Sequence, residues 1–508
     1  MTVLALDWNA TRVRAVLGPA GEYPLPVALE PPGLDLPLAI GLEGSTPEVG
    51  GAALRVCRRT PHLVCQNFLP FVTGTANEGP RWQAGRHALD ARAACEVVWR
   101  RLRDLGTNSK SIVLTLPGYL EAAQADVLRG LGERGRLPVF GSLPALLAAA
   151  LAGHAEQFWQ RSVLVVDADD QALTFGWVQA QNDQAHLIDV QTFPRLGLQA
   201  WRERLIDALA EAFVWHHRRD PRDAPLAEQG LYDQLEPLLD AALKHQAIQI
   251  GVQAQQWYKH LIVHPEQVRH FTEALTRQAQ AEAHSLLMGW PSGEARSIVM
   301  THDAARLPGL VDALHALVLS APGSETKLPT TRVTSFQDDD FGEALMIPEA
   351  EGRGGVLVLP PEAPARAAHA LGEAFRRGQI PKGHLETIAP LASVEPVEAG
   401  PPRLHFEGHD YSLREGTFTI GTQYGCQLHF DAARHPDVAP RHCQIVREPR
   451  GFTLYNFCSQ GTLVNEQLVT GPKVLQAGDR IRLSARGPTL RFLGKVTAPP
   501  RLLVRGEW

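Results

Sequence analysis

The chain has 508 residues and a net charge of −6, with 44% hydrophobic and 20% charged residues. That length and balance predict about two to four globular domains and exclude a general nucleic-acid binder, because phosphate backbones demand a basic surface. No apolar run reaches the roughly 20 residues of a membrane span, and Met1-Thr2-Val3-Leu4-Ala5-Leu6-Asp7 has no basic segment before its apolar residues, so a cytoplasmic protein is expected.

From the start to about residue 348, strand-like and helix-like segments alternate, which predicts an α/β architecture. Val3–Asp7 reads as a buried strand ending in a carboxylate, with Val13–Leu17 as its hairpin partner. Val163–Asp167 ends the same way and is followed by a turn and Ala172–Val178. This echo, about 160 residues apart, predicts two related lobes facing a cleft. The six cysteines (Cys57, Cys65, Cys95, Cys426, Cys443, Cys458) show neither metal-site spacing nor a disulfide framework, and free thiols are expected. Trp215-His216-His217 before Arg218-Arg219 reads as a solvated helix end, because adjacent helical side chains diverge and cannot share a metal. Arg58-Arg59 and Arg92, Arg100, Arg101 and Arg103, with Glu96 and Asp104 among them, read as ordinary charged surface. Asp338-Asp339-Asp340 reads as a helix start.

Several segments of this region line up, in order, with one family. Ile112–Tyr119 with Ala123-Gln124, then Leu143-Pro144-Ala145 running to Gly153, then Leu196–Trp201, Val299–Leu307 with Pro308, and Asp339–Ala344 resemble successive segments of the seventy-kilodalton heat-shock chaperones. The resemblance implies an actin-like, two-lobed (ribonuclease H-like) ATPase fold over 1–348, with a nucleotide between the lobes. Carried onto this chain, it makes Asp7, Asn9, Thr11, Asp167, Asp169 and Arg306 the candidate ATP-binding residues. If the cleft is active, Asp7 and Asp167 are its catalytic and magnesium-holding carboxylates.

The chain departs from that pattern wherever the phosphates would lie. Turns that cradle phosphates use small residues so that backbone N–H groups approach the oxygens. The first turn reads Asp7-Trp8-Asn9-Ala10-Thr11, and the second reads Asp167-Ala168-Asp169-Asp170-Gln171 in place of a glycine run. Like charges about 4 Å apart repel by about 1 kcal/mol in water and about 4 kcal/mol near a protein surface. Magnesium could turn Asp169 and Asp170 into ligands instead, since hard cations take oxygen donors. The catalytic lysine has no counterpart in Gln66–Gly74, and the adenosine loop reads Thr301-His302-Asp303-Ala304-Ala305-Arg306 rather than a glycine pair. Hydrolysis is therefore not expected and no cofactor is required, although ATP and magnesium stay open as ligands.

Residues 349–402 are rich in Pro, Ala, Gly and Glu and read as a linker, with Gly354–Pro361 as a short docking strand and Ala365–Arg377 of helical composition. Beyond it, short strands recur at Phe418–Ile420, Gln427–Phe430, Cys443–Val446, Phe452–Tyr455, Thr462–Asn465 and Arg480–Leu483, the pattern of an all-β sandwich. Ile420-Gly421, Arg441-His442, Ser459-Gln460-Gly461-Thr462 and Gly478-Asp479 punctuate them, and 403–495 resembles the forkhead-associated (FHA) domain. The resemblance implies a loop surface that grips phosphothreonine peptides, here through Thr422, Arg441, Ser459, Gln460 and Asn465, with His442 tying loops together. Thr422 stands where the family has Arg and Ala439 where it has Ser, and a threonine cannot replace a bidentate guanidinium. The tail, 496–508, carries no signal. A multi-domain, non-enzymatic adaptor with a protein partner on its FHA domain is expected; a nucleotide-switched chaperone-like ATPase and a phosphothreonine reader are the alternatives.

Overall fold

The computed structural model describes residues 2–319, 332–333, 354–391 and 403–493, apart from short gaps at 32, 74–78, 108, 291–295, 407–408, 414–416, 424, 433, 449–450, 460, 466, 470 and 476–478. The expected helix at 338–344, Gln460, Gly478 and the tail lie outside the described residues. Two compact units divide near residue 394, and each is taken by itself.

In the first unit, β1 (Thr2–Trp8) pairs antiparallel with β2 (Arg12–Pro19), which pairs with β3 (Leu25–Val27). On its other side β1 runs parallel to β4 (Ser111–Leu116), and β4 parallel to β5 (Val139–Pro144). A second sheet repeats this plan. There β6 (Ser162–Ala168) pairs antiparallel with β7 (Leu173–Gln181), which pairs with β8 (Gln184–Phe193), while β6 runs parallel to β9 (Ser297–Met300) and β9 to β10 (Gly355–Val358). Minor edge strands bring each sheet to seven. The central strands are apolar on both faces because both faces are covered. Alternate side chains sort to opposite sides: Leu4 and Leu6 join one cluster with Ile112 and Leu114, while Ala5 joins another with Val113.

That second cluster unites the two sheets, since Val163, Val165 and Val178 also belong to it. Between the sheets lies α1 (Ala145–Ala155), whose Ala145–Leu151 and Gly153 are all buried. An alanine-rich helix suits this place, having high helix propensity and little side-chain bulk to separate the sheets.

The described part of the segment expected as a linker, 354–391, completes this middle layer, so the first unit runs on past residue 348. β10 is a fully buried strand of the second sheet, and α3 (Ala363–Arg377) buries Ala365, Ala368, Leu371 and Phe375 at helical spacing. Gly372 lets α3 approach β1 so closely that a Cβ there would sit 2.3 Å from Val3 Cγ1. The small residues that suggested a flexible tether are the ones that make this packing fit. α2 (Leu198–His217) lies earlier in the chain, against the outer face of the second sheet, and ends at Arg218, whose φ of 55° places it in the left-handed region.

The second unit is a pair of sheets. One holds Arg403–Phe406, His409–Ser412, Thr462–Val464, Gln467–Leu468, Arg480–Leu483 and Thr489–Phe492; the other holds Thr417–Gly421, Leu428–His429, Cys443–Glu448, Gly451–Asn456 and Lys473–Leu475. Ile420, Ile445, Leu454, Ile481 and Leu490 fill the space between them.

Candidate functional site

The cleft of the first unit is built on the two hairpin turns, β1–β2 and β6–β7, and their chemistry is duplicated as closely as their topology. Asn9 Oδ1 accepts from Thr11 N (3.0 Å) and Arg12 N (2.9 Å), while Asp169 Oδ1 accepts from Gln171 N (3.0 Å) and Ala172 N (3.1 Å). Thr115 on β4 donates its hydroxyl to Asp7 at 2.7 Å, and Thr301 after β9 donates to Asp167 at 2.8 Å. In each turn an Asx side chain two residues beyond the strand-end carboxylate satisfies the backbone amides that a tight turn leaves free.

The two turns also bond to each other. Asp169 Oδ2 accepts from Ala10 N at 2.9 Å and from the Tyr119 hydroxyl at 2.6 Å. The Thr11 hydroxyl donates to Asp170 Oδ1 and accepts from Asp170 N, both at 2.9 Å. α2 closes the remaining side, its first amides donating to Asp169 O (Leu198 N, 2.8 Å) and Asp170 O (Gln199 N, 3.4 Å). A Cβ at Gly197 would lie 2.6 Å from the Gln171 carbonyl carbon, so only glycine lets the helix start this close.

Buried arginines balance these acids. Arg202 on α2 spans Asp170 and Glu236, and Arg306 bonds Glu236 at 2.7 Å and Asp240 at 2.6 Å. Arg12 pairs with Asp303 and, at 2.9 Å, with Asp35, which Arg14 also grips. Burial opposes the charge on Arg12, but Asp303 and Asp35 outweigh it and hold the guanidinium protonated. Burial likewise works against ionised Asp303, and Arg12 reverses it, leaving that carboxyl far below the usual range. No cation among the described residues pairs with Asp167: burial, then the charges of Asp7 and Asp169, push it up to about 7. Asp169 is pushed up to about 6 by burial despite its bonds from Tyr119, Ala10 and Ala172. Among the described residues no group of three or more His, Cys, Asp or Glu is arranged to hold a metal ion.

Of the sequence-level candidates, the structure brings Asn9, Thr11, Asp167 and Asp169 together with Asp7 at the cleft base, whereas Arg306 is turned to Glu236 and Asp240. Arg12, Arg14, Tyr119 and Arg202 were not foreseen. Arg12 and Arg14 had a signal, since charged residues at alternate positions of an apolar strand imply buried carboxylate partners. Arg202 had none, its partner Glu236 lying 34 residues away. Arg58 is likewise more than the charged surface expected of it. It bonds Glu203 across the cleft mouth and stacks over Tyr232 at 4.9 Å, and its amide donates to Gln229 Oε1 at 2.7 Å. A cavity of about 310 Å³ lies there, lined by Arg58, Asn67, Asp170, Gln199, Arg202 and Tyr232 among others.

In the second unit, His442 is fully buried; its Nδ1 accepts from Ala439 N at 3.1 Å within its own loop, and its amide donates to Ile420 O of the strand Thr417–Gly421 at 2.8 Å. Asn465 sits at φ 50° and bridges loops, donating to Asp479 Oδ1 at 2.9 Å and accepting from Arg480 N at 3.0 Å. Thr422 is anchored by its amide to Ala439 O at 3.2 Å. Arg441 and Ser459 are exposed, and the Arg441 guanidinium lies 4.9 Å over the Phe457 ring.

Comparison with known proteins gives two results. The FHA domain family matches residues 418–484. Over 226 residues, in the N-terminal part, the chain is 25% identical to the chaperone protein dnaK1 of Prochlorococcus marinus (strain MIT 9313), a match covering 43% of this chain and 34% of that protein. The match thus spans about a third of that relative's length.

Proposed function

Proceeding from an FHA domain at residues 418–484, we propose that the chain is a non-enzymatic adaptor. In this reading the first unit is an actin-like, two-lobed (ribonuclease H-like) chaperone-type domain whose nucleotide chemistry has been lost, and the FHA domain recruits a protein partner in signalling. The duplicated sheet plan and the weak likeness to the dnaK1 chaperone support the fold assignment. One observation carries the functional half: the Asp169 carboxylate is bonded to the Ala10 amide, a donor that would otherwise be free for a phosphate oxygen. A triphosphate fits these residues poorly. It would meet Asp169 and Asp170 at short range, and the α2 amides behind them are already engaged with carbonyls. A cytoplasmic location belongs to this reading; no helix among the described residues is long and apolar enough to cross a membrane.

Titrating magnesium–ATP against the full chain tests this. Ligand at a hundred times its Kd adds about 2.7 kcal/mol to stability, so binding would raise Tm visibly. No shift at millimolar nucleotide and no phosphate release are expected; a shift together with turnover would refute the proposal.

A second reading, phosphothreonine recognition, is favoured by the exposure of Arg441 and Ser459 on the FHA loops. It requires phosphorylated peptides to bind better than unphosphorylated ones and Arg441→Ala to erase the difference. Equal binding of both forms leaves the phosphate-independent surface as the partner site.

A further inference from the structure

The bonds between the two turns have a mechanical consequence. The halves of the first unit share the middle layer of α1 and α3, which leaves the cleft as the place where they could separate. Four side-chain hydrogen bonds cross its base, all involving Asp169 or Asp170: from Ala10 N, from the Tyr119 hydroxyl, and the reciprocal pair with Thr11. Both aspartates are held in position from their own side, Asp169 by its turn amides and Asp170 by Arg202. At the mouth, Asn67 donates to Gln199 at 2.6 Å, Arg58 meets Glu203, and Gln229 bonds Leu54 O at 2.8 Å and Arg58 N at 2.7 Å. Arg12 adds its pair with Asp303.

We infer that the Asp169–Asp170 pair is a built-in latch, its carboxylates standing where a bound anion would bridge the turns, so that the two halves stay closed with no ligand present. A bridging anion must be gained from solution and can be lost, whereas a carboxylate on the chain is present at a fixed, high effective concentration. Bonds to ionised acceptors in a water-excluded place are also the stronger kind. The closed arrangement thereby becomes permanent rather than switched, which suits a scaffold that must present one surface constantly. What the latch replaces rests on the reading of the cleft given above; the latch itself does not.

Hydrogen exchange on the full-length chain tests it, comparing wild type with the Asp169→Ala/Asp170→Ala variant. Peptides covering 8–12 and 54–67 in one half, and 198–203 and 228–236 in the other, should exchange about tenfold faster in the variant, as expected when a local closed state loses its favoured population. Those covering β4 and β6 should keep their protection. Should the double variant not fold, Tyr119→Phe with Thr11→Val removes three of the four bonds while leaving both acids, and the same pattern is expected. Unchanged exchange at the cleft faces in a folded variant would overturn the latch. A separate arm adds magnesium–ATP to wild type: slower exchange at 8–12 would refute the loss of nucleotide binding, and the variant arm would still decide the latch.

Discussion

Replacing Arg202 with methionine should destabilise the first unit through one identifiable defect, an acid left buried without its cation. The Arg202 side chain is 8% exposed and its partners Asp170 and Glu236 are 17% and 48% exposed. Removing one member of a buried pair costs about 3–5 kcal/mol because the other stays charged and desolvated. Glu236 contributes little to that figure, being half in water, where ion pairs are worth about 0–1 kcal/mol, and it keeps Arg306. Asp170 dominates, and burial already raises its carboxyl, so it can partly escape by taking up a proton. A loss of about 3 kcal/mol is expected near pH 8 and clearly less near pH 5. Urea unfolding followed by tryptophan fluorescence reads it cleanly, since nine of the ten tryptophans lie between Trp8 and Trp290 and the tenth is Trp508. Adding Asp170→Asn to Arg202→Met should restore more than half of the loss. If the single variant loses under about 0.5 kcal/mol, or the double loses as much as the single, the ionic account of this site is wrong.

The buried aspartates of the two turns should cost stability as pH rises from 4 to 7. Between about pH 4 and pH 6 to 7, Asp167 and Asp169 keep protons in the folded state that the unfolded chain has given up, with values near 7 and 6 against 3.8 unfolded, so their contribution is complete below about pH 4 and is lost as pH rises through 6 to 7. Asp303, Asp35 and Glu236 are shifted down and act in reverse, losing their contribution as pH falls below about 4. His154, His369, His384 and His442, shifted down by burial, also lose their contribution as pH falls below about 6.5, so Asp167 is read by difference: the Tm of Asp167→Asn should gain on wild type as pH rises from 4 to 8, and a constant difference would contradict these signs. Gly372→Ala should cost about 1–3 kcal/mol by overpacking α3 against Val3. An unchanged melting curve would mean that α3 does not pack on β1 and that a loose tether is the better description.

Most of the repeating framework was legible before any coordinates. Short β-branched runs such as Val163–Asp167, bounded by turn residues, fit strands buried on both faces, and a carboxylate at the end of each, followed by a turn, marked the duplication. Six of the eleven strands described in the second unit were equally plain, because alternation and turn residues are local signals. The tether was misread for an equally local reason: alanine and glycine signify flexibility or close packing alike, and only the neighbour supplied by the fold distinguishes them.

What the order of residues determined alone is therefore the repeated strand–carboxylate–turn–strand unit, six strands of the sandwich, and the chemical oddity of Asp169-Asp170 in a turn that resembles a phosphate cradle. What the tertiary structure decided is where those carboxylates point. Sequence distance hides Ala10 from Asp169 and Arg202 from Glu236, and the energy of a buried charge depends wholly on which partner lies within hydrogen-bonding reach. That reach is a property of the folded chain, set by two sheets brought face to face around a layer of small-residue helices.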